Sequence, residues 1–582
     1  MKKFLALLLA VLMIAALAAC GTSEPNKPDD GNKDSTNAND LVSKDFIDPI
    51  KDWKTYDEMI AQIKAETDFA KRTEMMHKAE DILMATNCVI PLYYYNDIYL
   101  QKDYVDGIYS NPYATKFLMY TTLGNGSDTL RINLASEPDF LDPALNSSVD
   151  GACLAANSFS GLFTYNKEGK PVPACAESYT VSDDGLVYTV TLKQGLKWSD
   201  GSDLTANDFV YAWKRAVDPA TAADYAYMFS GFKGYTDVEG ETPDLAVSAP
   251  DATTLVFELT APCAYMEDLM AFPTFYPVKQ AAVEGYADWQ TSPGGWCQEA
   301  GFVSNGAFVC TGWSHNTSMT YEKNPYWYDA ENVKINKIEY MLSDDDTAIF
   351  AAYNAGNLDF ADTVPTDEVK NLLDNPEFHI VDELGTYYVA FNAKSKIFEG
   401  KTPQEAACIR EAFSIMIDRD FICKNIGQTG QIPANAFIPY GMADGNGGIF
   451  KSSATEQGYF DYMAINEKHE ETVERARTLL KAAGYQFGDD GKLTADTPIQ
   501  IEYLTNTASG HIAVAQAIQQ DLSELGIELS ITQQDWKVFL QERKAGNFDF
   551  AREGWIADFN DPINMLEMWT TVSGNNDCQF GR

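Results

Sequence analysis

The sequence predicts an α/β protein, because stretches with the alternating pattern of a strand are followed by stretches with the spacing of a helix. Residues 188–201 (YTVTLKQGLKWSDG) open with such a strand, and residues 205–217 (TANDFVYAWKRAV) follow with a helical pattern. The chain has 582 residues, which corresponds to roughly three or four domains by the usual length of a domain. We therefore expect several α/β domains with irregular additions, and not a repeat protein.

The N-terminus has the pattern of a bacterial lipoprotein signal. Two lysines precede an apolar run of 16 residues (4–19), which closes with Leu-Ala-Ala before Cys20. The pattern predicts a signal peptide over residues 1–19, a lipid on Cys20 and a mature protein tethered to the outside of a membrane. An ordinary cleaved signal and a short transmembrane helix are the alternatives, although the run is shorter than the about 20 residues that a span needs.

A flexible linker is predicted over residues 20–44. Residues 21–40 (GTSEPNKPDDGNKDSTNAND) contain no large apolar side chain, so they cannot bury enough surface to offset the cost of ordering. The linker would hold the folded body clear of the lipid anchor.

Two helices and a strand are predicted after the linker. Apolar residues recur at three- and four-residue steps from Trp53 to Ile63, and a second run of this spacing starts at Asp68. Pro91 ends the helical region, and the residues that follow it (LYYYNDIYL, 92–100) have the composition of a strand.

The charge of the chain argues against a nucleic-acid partner. Asp and Glu total 85 against 43 Lys and Arg, which gives a net charge of -42. Phosphate backbones and anionic lipid heads would repel such a surface. Most of the acidity is expected to be solvated surface.

The cysteines and histidines predict neither a disulfide framework nor a metal site. Nine cysteines remain after Cys20, an odd number without CxxC spacing, and most are expected to be small buried residues. Five scattered histidines form no HExxH motif. The chain also shows no GxSxG motif and no phosphate loop, so we expect no cofactor, no metal and no enzymatic activity.

Seven blocks, in a fixed order from residue 129 onward, carry a resemblance to a known family. They are SEPDFLDPAL (136–145), LKWSDGSDLTANDFVYAWKR (196–215), SNGAFVCTGW (304–313), KNPYWYD (323–329), YYVAFNAKS (387–395), IREAFSIMIDR (409–419) and GWIADFNDP (554–562). The chain resembles the extracellular solute-binding protein of oligopeptide and dipeptide ABC transporters (family 5). Together the blocks cover over 400 residues.

The order of the segments departs from the family pattern. Members of the family continue past the GWIADFNDP region into a helical pair and a tyrosine-rich strand. Here the segments that resemble these elements, residues 56–83 and 89–109, stand near the front of the chain. The chain therefore resembles a circularly permuted member, with residues 110–128 as the join. The alternative is that residues 41–125 are a stray duplicate beside a damaged domain.

The resemblance implies two α/β lobes that close over a ligand about a hinge, with a smaller extra domain on the first. Lobe I is expected at residues 90–172 and 288–384, and the extra domain at 173–287. Lobe II is expected at residues 385–582, completed by the permuted segment 45–89.

The resemblance also implies a site for the amino end of a peptide. Asp558 matches the family aspartate that holds the peptide ammonium, and Gly554 and Ile556 match neighbours that offer backbone groups to the ligand. The alternative for Asp558 is that it caps the turn before Asn560-Asp561-Pro562.

Three side chains match positions that meet the peptide carboxylate in the family: Arg552, Arg543 and His511. Arginine suits a carboxylate through its fork of donors. Arg543 could instead lie at a solvated helix end, and His511 could be a solvated loop residue.

The expected walls of the site are less specific. Trp536 and Trp555 could line the ligand pocket, but large aromatic residues more often belong to the core. Glu137 lies in the first-lobe stretch that is expected to face the peptide backbone.

These residues predict a lipid-anchored, monomeric receptor on the extracellular face of the membrane, or in the periplasm if an outer membrane is present. It would capture oligopeptides and deliver them to an ABC permease and its ATPase, without catalysis. A surface sensor that presents a signalling peptide to a partner, and a hydrolase on the same scaffold, stay open as alternatives. Nickel complexes, which some members carry, are disfavoured because the histidines are not clustered.

Overall fold

The computed structural model describes residues 37–133, 136–238, 240–452 and 469–582. The predicted signal peptide, the lipid on Cys20 and the linker up to residue 36 lie outside the described residues. Among the helices that are described, none is long and apolar enough to span a membrane.

The α-helices of five or more residues and the strands of the two larger sheets follow in chain order. The helices are α1 (Lys54–Ala65), α2 (Phe69–Ala85), α3 (Val149–Ser158), α4 (Ala206–Ala216), α5 (Met266–Ala271), α6 (Asp346–Asn354), α7 (Pro403–Met416), α8 (His469–Ala482), α9 (Ser509–Ser523), α10 (Trp536–Lys544) and α11 (Ile563–Glu567). The strands are β1 (Val89–Gln101), β2 (Thr129–Asn133), β3 (Ala176–Val181), β4 (Val187–Leu192), β5 (Val247–Asp251), β6 (Thr254–Glu258), β7 (Phe308–Ser314), β8 (Ser318–Lys323), β9 (Lys337–Met341), β10 (Phe360–Ala361), β11 (Phe378–Phe391), β12 (Ile432–Pro433), β13 (Gln500–Asn506), β14 (Glu528–Gln534) and β15 (Phe550–Ile556).

Local sequence signals explain where the predicted helices begin. Asp68 caps α2 by accepting hydrogen bonds from the backbone amides of Ala70 and Lys71. Thr205 and Asp208 form a capping box at the start of α4, which follows the strand β4. The strand–helix pair predicted at residues 188–217 is therefore confirmed.

The main sheet has two α/β halves joined by two long antiparallel strands. Its order is β7-β8-β9-β2-β10-β1-β11-β15-β13-β14, and β12 pairs with β1 beside this path. Pairing is parallel between β9, β2 and β10 in one half and between β15, β13 and β14 in the other. We call these halves lobe I and lobe II. β1 and β11 run from one lobe to the other, and their register shifts at Pro91/Tyr93 and at Tyr94/Asn96, where bulges bend a strand pair.

A second, smaller sheet has four antiparallel strands in the order β5-β6-β4-β3. It lies within residues 173–287, the range that the sequence predicts for an extra domain. Its core is continuous with that of lobe I, because buried side chains such as Trp213 of α4 and Ile338 of β9 belong to one cluster. The domain boundaries themselves stay predictions.

The core of lobe II is a separate cluster. Phe391, Phe413 and Phe550 pack together in it, with ring centroids 4.4 to 5.9 Å apart. Ala38 and Leu41 are buried in the same cluster. The packed structure therefore begins before residue 44, the predicted end of the linker, because Leu41 is the first large apolar side chain after the polar stretch.

The helices α1 and α2 pack on the C-terminal residues. Trp53 donates a hydrogen bond from Nε1 to the carbonyl of Trp569 at 2.8 Å, and Tyr56 donates to the carbonyl of Leu566 at 3.0 Å. The backbone amide of Gly581 donates to the carbonyl of Pro49 at 2.9 Å. Residues 49–56 and 566–581 are thus neighbours in space.

A buried ion pair fixes the second helix of this pair. Both terminal nitrogens of Arg72 donate to the carboxylate of Asp561 at 2.8 Å, and both side chains are almost fully buried. Lys64 of α1 pairs in turn with Glu567 at 2.6 Å and contacts Ser230 of the extra domain. The helical pair therefore lies between the C-terminal residues and Ser230, and its apolar side chains belong to the same cluster as the core of lobe I.

Candidate ligand-binding cavity

A cavity of about 450 Å³ lies between the two lobes. Lobe I contributes residues around α3 and the start of α6, and lobe II contributes residues of α9, α10 and β15. Polar contacts also join the two lobes: the Thr507 hydroxyl donates to Asp344 at 2.6 Å, and the Gln541 amide donates to Asp139 at 3.2 Å. A ligand in this cavity would contact both lobes at once.

Strand β15 presents a backbone edge to the cavity. On one side it pairs with β11 along its full length, from Phe391↔Phe550 to Gly385↔Ile556. On the other side, its pairing with β13 covers Phe550 and Ala551. In the part of the chain that the structure describes, no strand pairs with residues 552–556 on that side. An extended peptide can add to such an edge through main-chain hydrogen bonds.

Asp558 follows this edge, and two neutral donors hold its carboxylate. The Tyr225 hydroxyl donates to Oδ1 at 3.0 Å, and the Asn564 amide donates to Oδ2 at 2.9 Å. Burial raises the pKa of Asp558 to about 7, although both hydrogen bonds lower it. A carboxylate with neutral partners in a shielded place is suited to bind a ligand cation.

Asn564 holds Trp555 and Asp558 in place together. Its Oδ1 accepts from the indole of Trp555 at 3.1 Å and from the backbone amide of Asp558 at 3.0 Å. It is fully buried at the start of α11. One side chain therefore fixes the indole, the main chain and the carboxylate together.

The alternative role for Asp558, as the cap of the following turn, does not match the contacts. Asp561 fills that role, because its Oδ1 accepts from the backbone amide of Ile563 at 3.0 Å. The carboxylate of Asp558 is bonded to side chains of α11 and of the extra domain instead.

Arg552 lies on β15 six residues before Asp558. Its guanidinium is 5.4 Å from the ring centroid of Tyr387 and 5.6 Å from that of Trp536. Burial lowers its pKa, but nearby tyrosines and Glu553 outweigh this and raise the pKa above the usual range. Its Nε has no hydrogen-bond partner among the described residues. Arg552 is thus a buried cation at the cavity wall, and its Nε is an unpaired hydrogen-bond donor among the described residues.

Arg543 and His511 also line the cavity, but both are occupied. Arg543 pairs with Glu553 and with Asp577, each at 2.8 Å, so two carboxylates already offset its charge. His511 lies 3.1 Å from the Tyr387 hydroxyl through Nδ1. Burial, and then the charge of Arg552, lower the pKa of His511 well below its usual range, so this histidine is neutral.

The remaining predicted residues divide into those on the cavity wall and one outside it. Trp536, Trp555, Gly554 and Ile556 all line the cavity. A Cβ atom at position 554 would collide with the Tyr95 hydroxyl, so the close approach of Tyr95 requires glycine there.

Glu137 lies outside the cavity lining, although its neighbour Ser136 belongs to it. Its Oε2 accepts from the backbone amide of Asn316 at 2.8 Å and from the Trp313 indole at 3.3 Å. Its Oε1 contacts His315. The side chain ties the first-lobe loop to the β7–β8 hairpin. The geometry does not support the predicted contact between Glu137 and a ligand.

Two contacts of the anchor could not be found from the sequence. Tyr225 lies more than 300 residues before Asp558, between β4 and β5, and carries no motif. Asn564 had a weak signal, since it is a polar residue two positions after Pro562 in an otherwise apolar stretch. Among the described residues, no group of His, Cys, Asp and Glu is arranged to hold a metal ion.

Comparisons with known proteins agree with this geometry. The statistical model of bacterial extracellular solute-binding proteins, family 5 (middle region), matches residues 170–577. The oligopeptide-binding protein OppA of Bacillus subtilis is 33% identical over 465 residues, which cover 78% of this chain and 79% of the relative. The periplasmic oligopeptide-binding protein OppA of Escherichia coli is 33% identical over 462 residues, with the same coverage of 78% and 79%.

Solved structures show the same fold. Haemophilus influenzae OppA in complex with the peptide RPPGFSPFR matches with a TM-score of 0.67 at 28% identity, covering 78% of this chain and 85% of that one. The murein tripeptide binding protein MppA of Escherichia coli matches with a TM-score of 0.67 at 29% identity, covering 78% and 84%. The fold, the interlobe cavity and the extent of these matches show that the chain belongs to the family 5 extracellular solute-binding proteins.

Proposed function

We propose that this protein captures oligopeptides outside the cell and delivers them to an ABC permease and its ATPase. The observation that carries the proposal is the carboxylate of Asp558, which has neutral partners and stands beside an unpaired strand edge in the interlobe cavity. Similar proteins are named for the oligopeptides and dipeptides that they bind. Lipid attachment at Cys20 would keep the receptor at the membrane surface, close to its permease.

The binding mode follows from the chemistry of a free peptide. Its α-ammonium pairs with Asp558, and its backbone adds to the edge at residues 552–556. Its carboxylate is attracted to the buried guanidinium of Arg552. The two strands that join the lobes, β1 and β11, provide the hinge on which the cavity opens and closes. The protein catalyses nothing in this scheme.

Blocking the peptide amine tests this proposal. We expect N-acetylation of a peptide to weaken its binding by at least about 30-fold, because loss of one partner of a shielded charge pair costs about 2 kcal/mol or more. Isothermal titration calorimetry of matched free and N-acetylated pentapeptides measures this directly. Equal affinities for the two peptides would contradict the proposal.

The pH dependence of binding gives a second test. The pKa of Asp558 is raised to about 7, so its carboxylate takes up a proton as the pH falls through 7. Only the ionised form binds an ammonium, and the peptide amine itself loses its proton near pH 8. Affinity is therefore expected to be about fivefold weaker at pH 6 than at pH 7.5.

Calorimetry on the wild type and on Asp558→Asn, at both pH values, isolates this effect from other groups in the cavity. The variant has no carboxylate to titrate, so its weaker binding should lose most of the pH dependence. The same dependence of affinity on pH in both proteins would assign the titration to another residue.

In the absence of ligand, the stability of the protein depends on pH in the opposite direction. Folded Asp558 holds its proton up to a higher pH than unfolded Asp558 does, so its contribution to stability falls as the pH rises from about 4 to about 7.

We further propose that residues 45–89 take the place of the segment that follows the GWIADFNDP block in the family. Their helices pack on residues 561–571, and Pro49 lies within hydrogen-bond distance of Gly581. A connection between these two neighbours would give the chain order of the family. The contacts of Trp53, Tyr56 and Arg72 support this proposal over a stray duplicate, which would have no reason to fit this surface.

A further inference from the structure

Aromatic rings form the wall of the cavity beside the amine anchor. The rings of Phe272 and Trp555 lie on either side of Tyr225, with centroids 5.0 Å and 6.2 Å from that of its ring. All three side chains line the interlobe cavity, and Tyr225 is the residue that donates to Asp558. Phe272 and Trp555 are partly exposed, so a ligand in the cavity can contact their rings.

The same wall continues at the end of α5. Tyr113 and Tyr165 line the cavity with ring centroids 5.3 Å apart, and their hydroxyls donate to Asp268 of α5 at 3.3 Å and 3.0 Å. Asp268 is not part of the lining, so both hydroxyls are bonded to a group behind the wall. Residues 271–273 at the end of this helix also line the cavity.

The polar atoms of the rings next to the anchor are occupied as well. The Tyr225 hydroxyl donates to Asp558, and the Trp555 indole donates to Asn564 at 3.1 Å. The side chain of Phe272 has no polar atom. The wall therefore offers apolar ring surface, and a polar ligand group placed against it would lose hydrogen bonds to water without replacing them.

The geometry of a peptide decides which of its side chains meets this wall. The side chain of the first residue begins only two bonds from the α-ammonium nitrogen. With the ammonium on Asp558, this side chain therefore starts beside Tyr225. The later residues follow the strand edge at 552–556 and move away from the anchor. The first side chain is thus the one that lies against Phe272.

We propose that Phe272, together with Tyr225 and Trp555, forms a subsite for a large apolar side chain on the first residue of a bound peptide. The proposal rests on the peptide-binding function proposed above. It makes the receptor selective for peptides that begin with a residue such as phenylalanine or leucine, because burial of apolar surface favours binding. Phe272 is then a residue that determines specificity.

A set of four pentapeptides tests the subsite. Each has phenylalanine, leucine, asparagine or alanine as its first residue, followed by four alanines, and affinities are measured by calorimetry. We expect phenylalanine to bind at least about tenfold more tightly than alanine, and leucine at least about fivefold more tightly than asparagine, which has nearly the same shape. In Phe272→Ala both ratios should fall to about threefold or less.

Phe421→Ala is the matched control, because it makes the same substitution at a site away from the cavity. Phe421 is 47% exposed and does not line the cavity. Both ratios should keep their wild-type values in this variant.

The outcomes separate the two proposals. Equal affinities for the four peptides overturn the subsite and leave peptide capture standing, and so does tighter binding of asparagine than of leucine. Ratios that survive intact in Phe272→Ala overturn the assignment to this residue. If none of the pentapeptides binds the wild type, peptide capture fails and the subsite fails with it. The comparison of peptides on the wild type is decisive even if Phe272→Ala does not fold.

Discussion

Asp558→Ala is expected to weaken the binding of peptides with a free α-amine by about 2–5 kcal/mol, which is at least about 30-fold. The ammonium would enter a shielded cavity in which Tyr225 and Asn564 remain, and both of them offered hydrogen-bond donors to the lost carboxylate. Donors repel a cation, so the ligand charge would lose the carboxylate that pairs with it, and these two side chains would offer no substitute. Calorimetry with a free-amine pentapeptide measures the loss.

Two controls make this result specific. N-acetylated pentapeptide should bind wild type and Asp558→Ala with similar weak affinity, because neither complex contains an ion pair between the peptide ammonium and Asp558. Thermal unfolding should show that the variant is folded, since burial of the Asp558 charge already opposes folding at neutral pH. A variant that melts like the wild type and still binds the free-amine peptide with wild-type affinity would rule out Asp558 as the anchor.

Trp53→Ala is expected to lower the free energy of unfolding by about 3–5 kcal/mol, the usual cost of removing a buried aromatic side chain. Trp53 is fully buried, and its ring centroid lies 4.5 Å from that of Tyr56 and 4.2 Å from that of Phe580. The substitution would also leave the carbonyl of Trp569 without its donor. Denaturant unfolding followed by tryptophan fluorescence and circular dichroism measures the change.

Lys54→Ala is the matched control. Lys54 follows Trp53 in the chain, but its side chain is 84% exposed, so little packing is lost when it is removed. Its effect should stay within about 0.5 kcal/mol. Deletion of residues 45–89 should go further and abolish cooperative unfolding, since it uncovers the apolar surface around α11 in the cluster shared with lobe I. A deletion variant that still unfolds cooperatively at the wild-type temperature would show that the segment is an appendage, as the duplicate hypothesis requires.

The elements of the fold were predictable where local signals are strong. The capping box at Thr205 and the cap at Asp68 mark helix starts in the sequence itself, and the structure confirms both helices. The connection between the two lobes could not be predicted from such local signals. Strands β1 and β11 lie almost 300 residues apart, and only long-range pairing makes them the connection between the lobes. Local patterns cannot report such pairing.

The site was predictable along β15 and poorly predictable elsewhere. Asp558 lies in the block 554–562 and Arg552 stands two residues before it, so the resemblance pointed to both positions. Arg543 differs from Arg552 in that it forms ion pairs with Glu553 and Asp577. No property of the sequence around Arg543 shows that pairing in advance.

The contact between Arg72 and Asp561 joins residues that are 489 positions apart in the chain. A ribosome that adds about 5–20 residues per second needs roughly 25–100 s to make the second partner after the first. Throughout that interval α1 and α2 lack the part of their native surface that α11 and the C-terminal residues supply. Native packing of α1 and α2 is therefore complete only after the residues around Asp561 have been made.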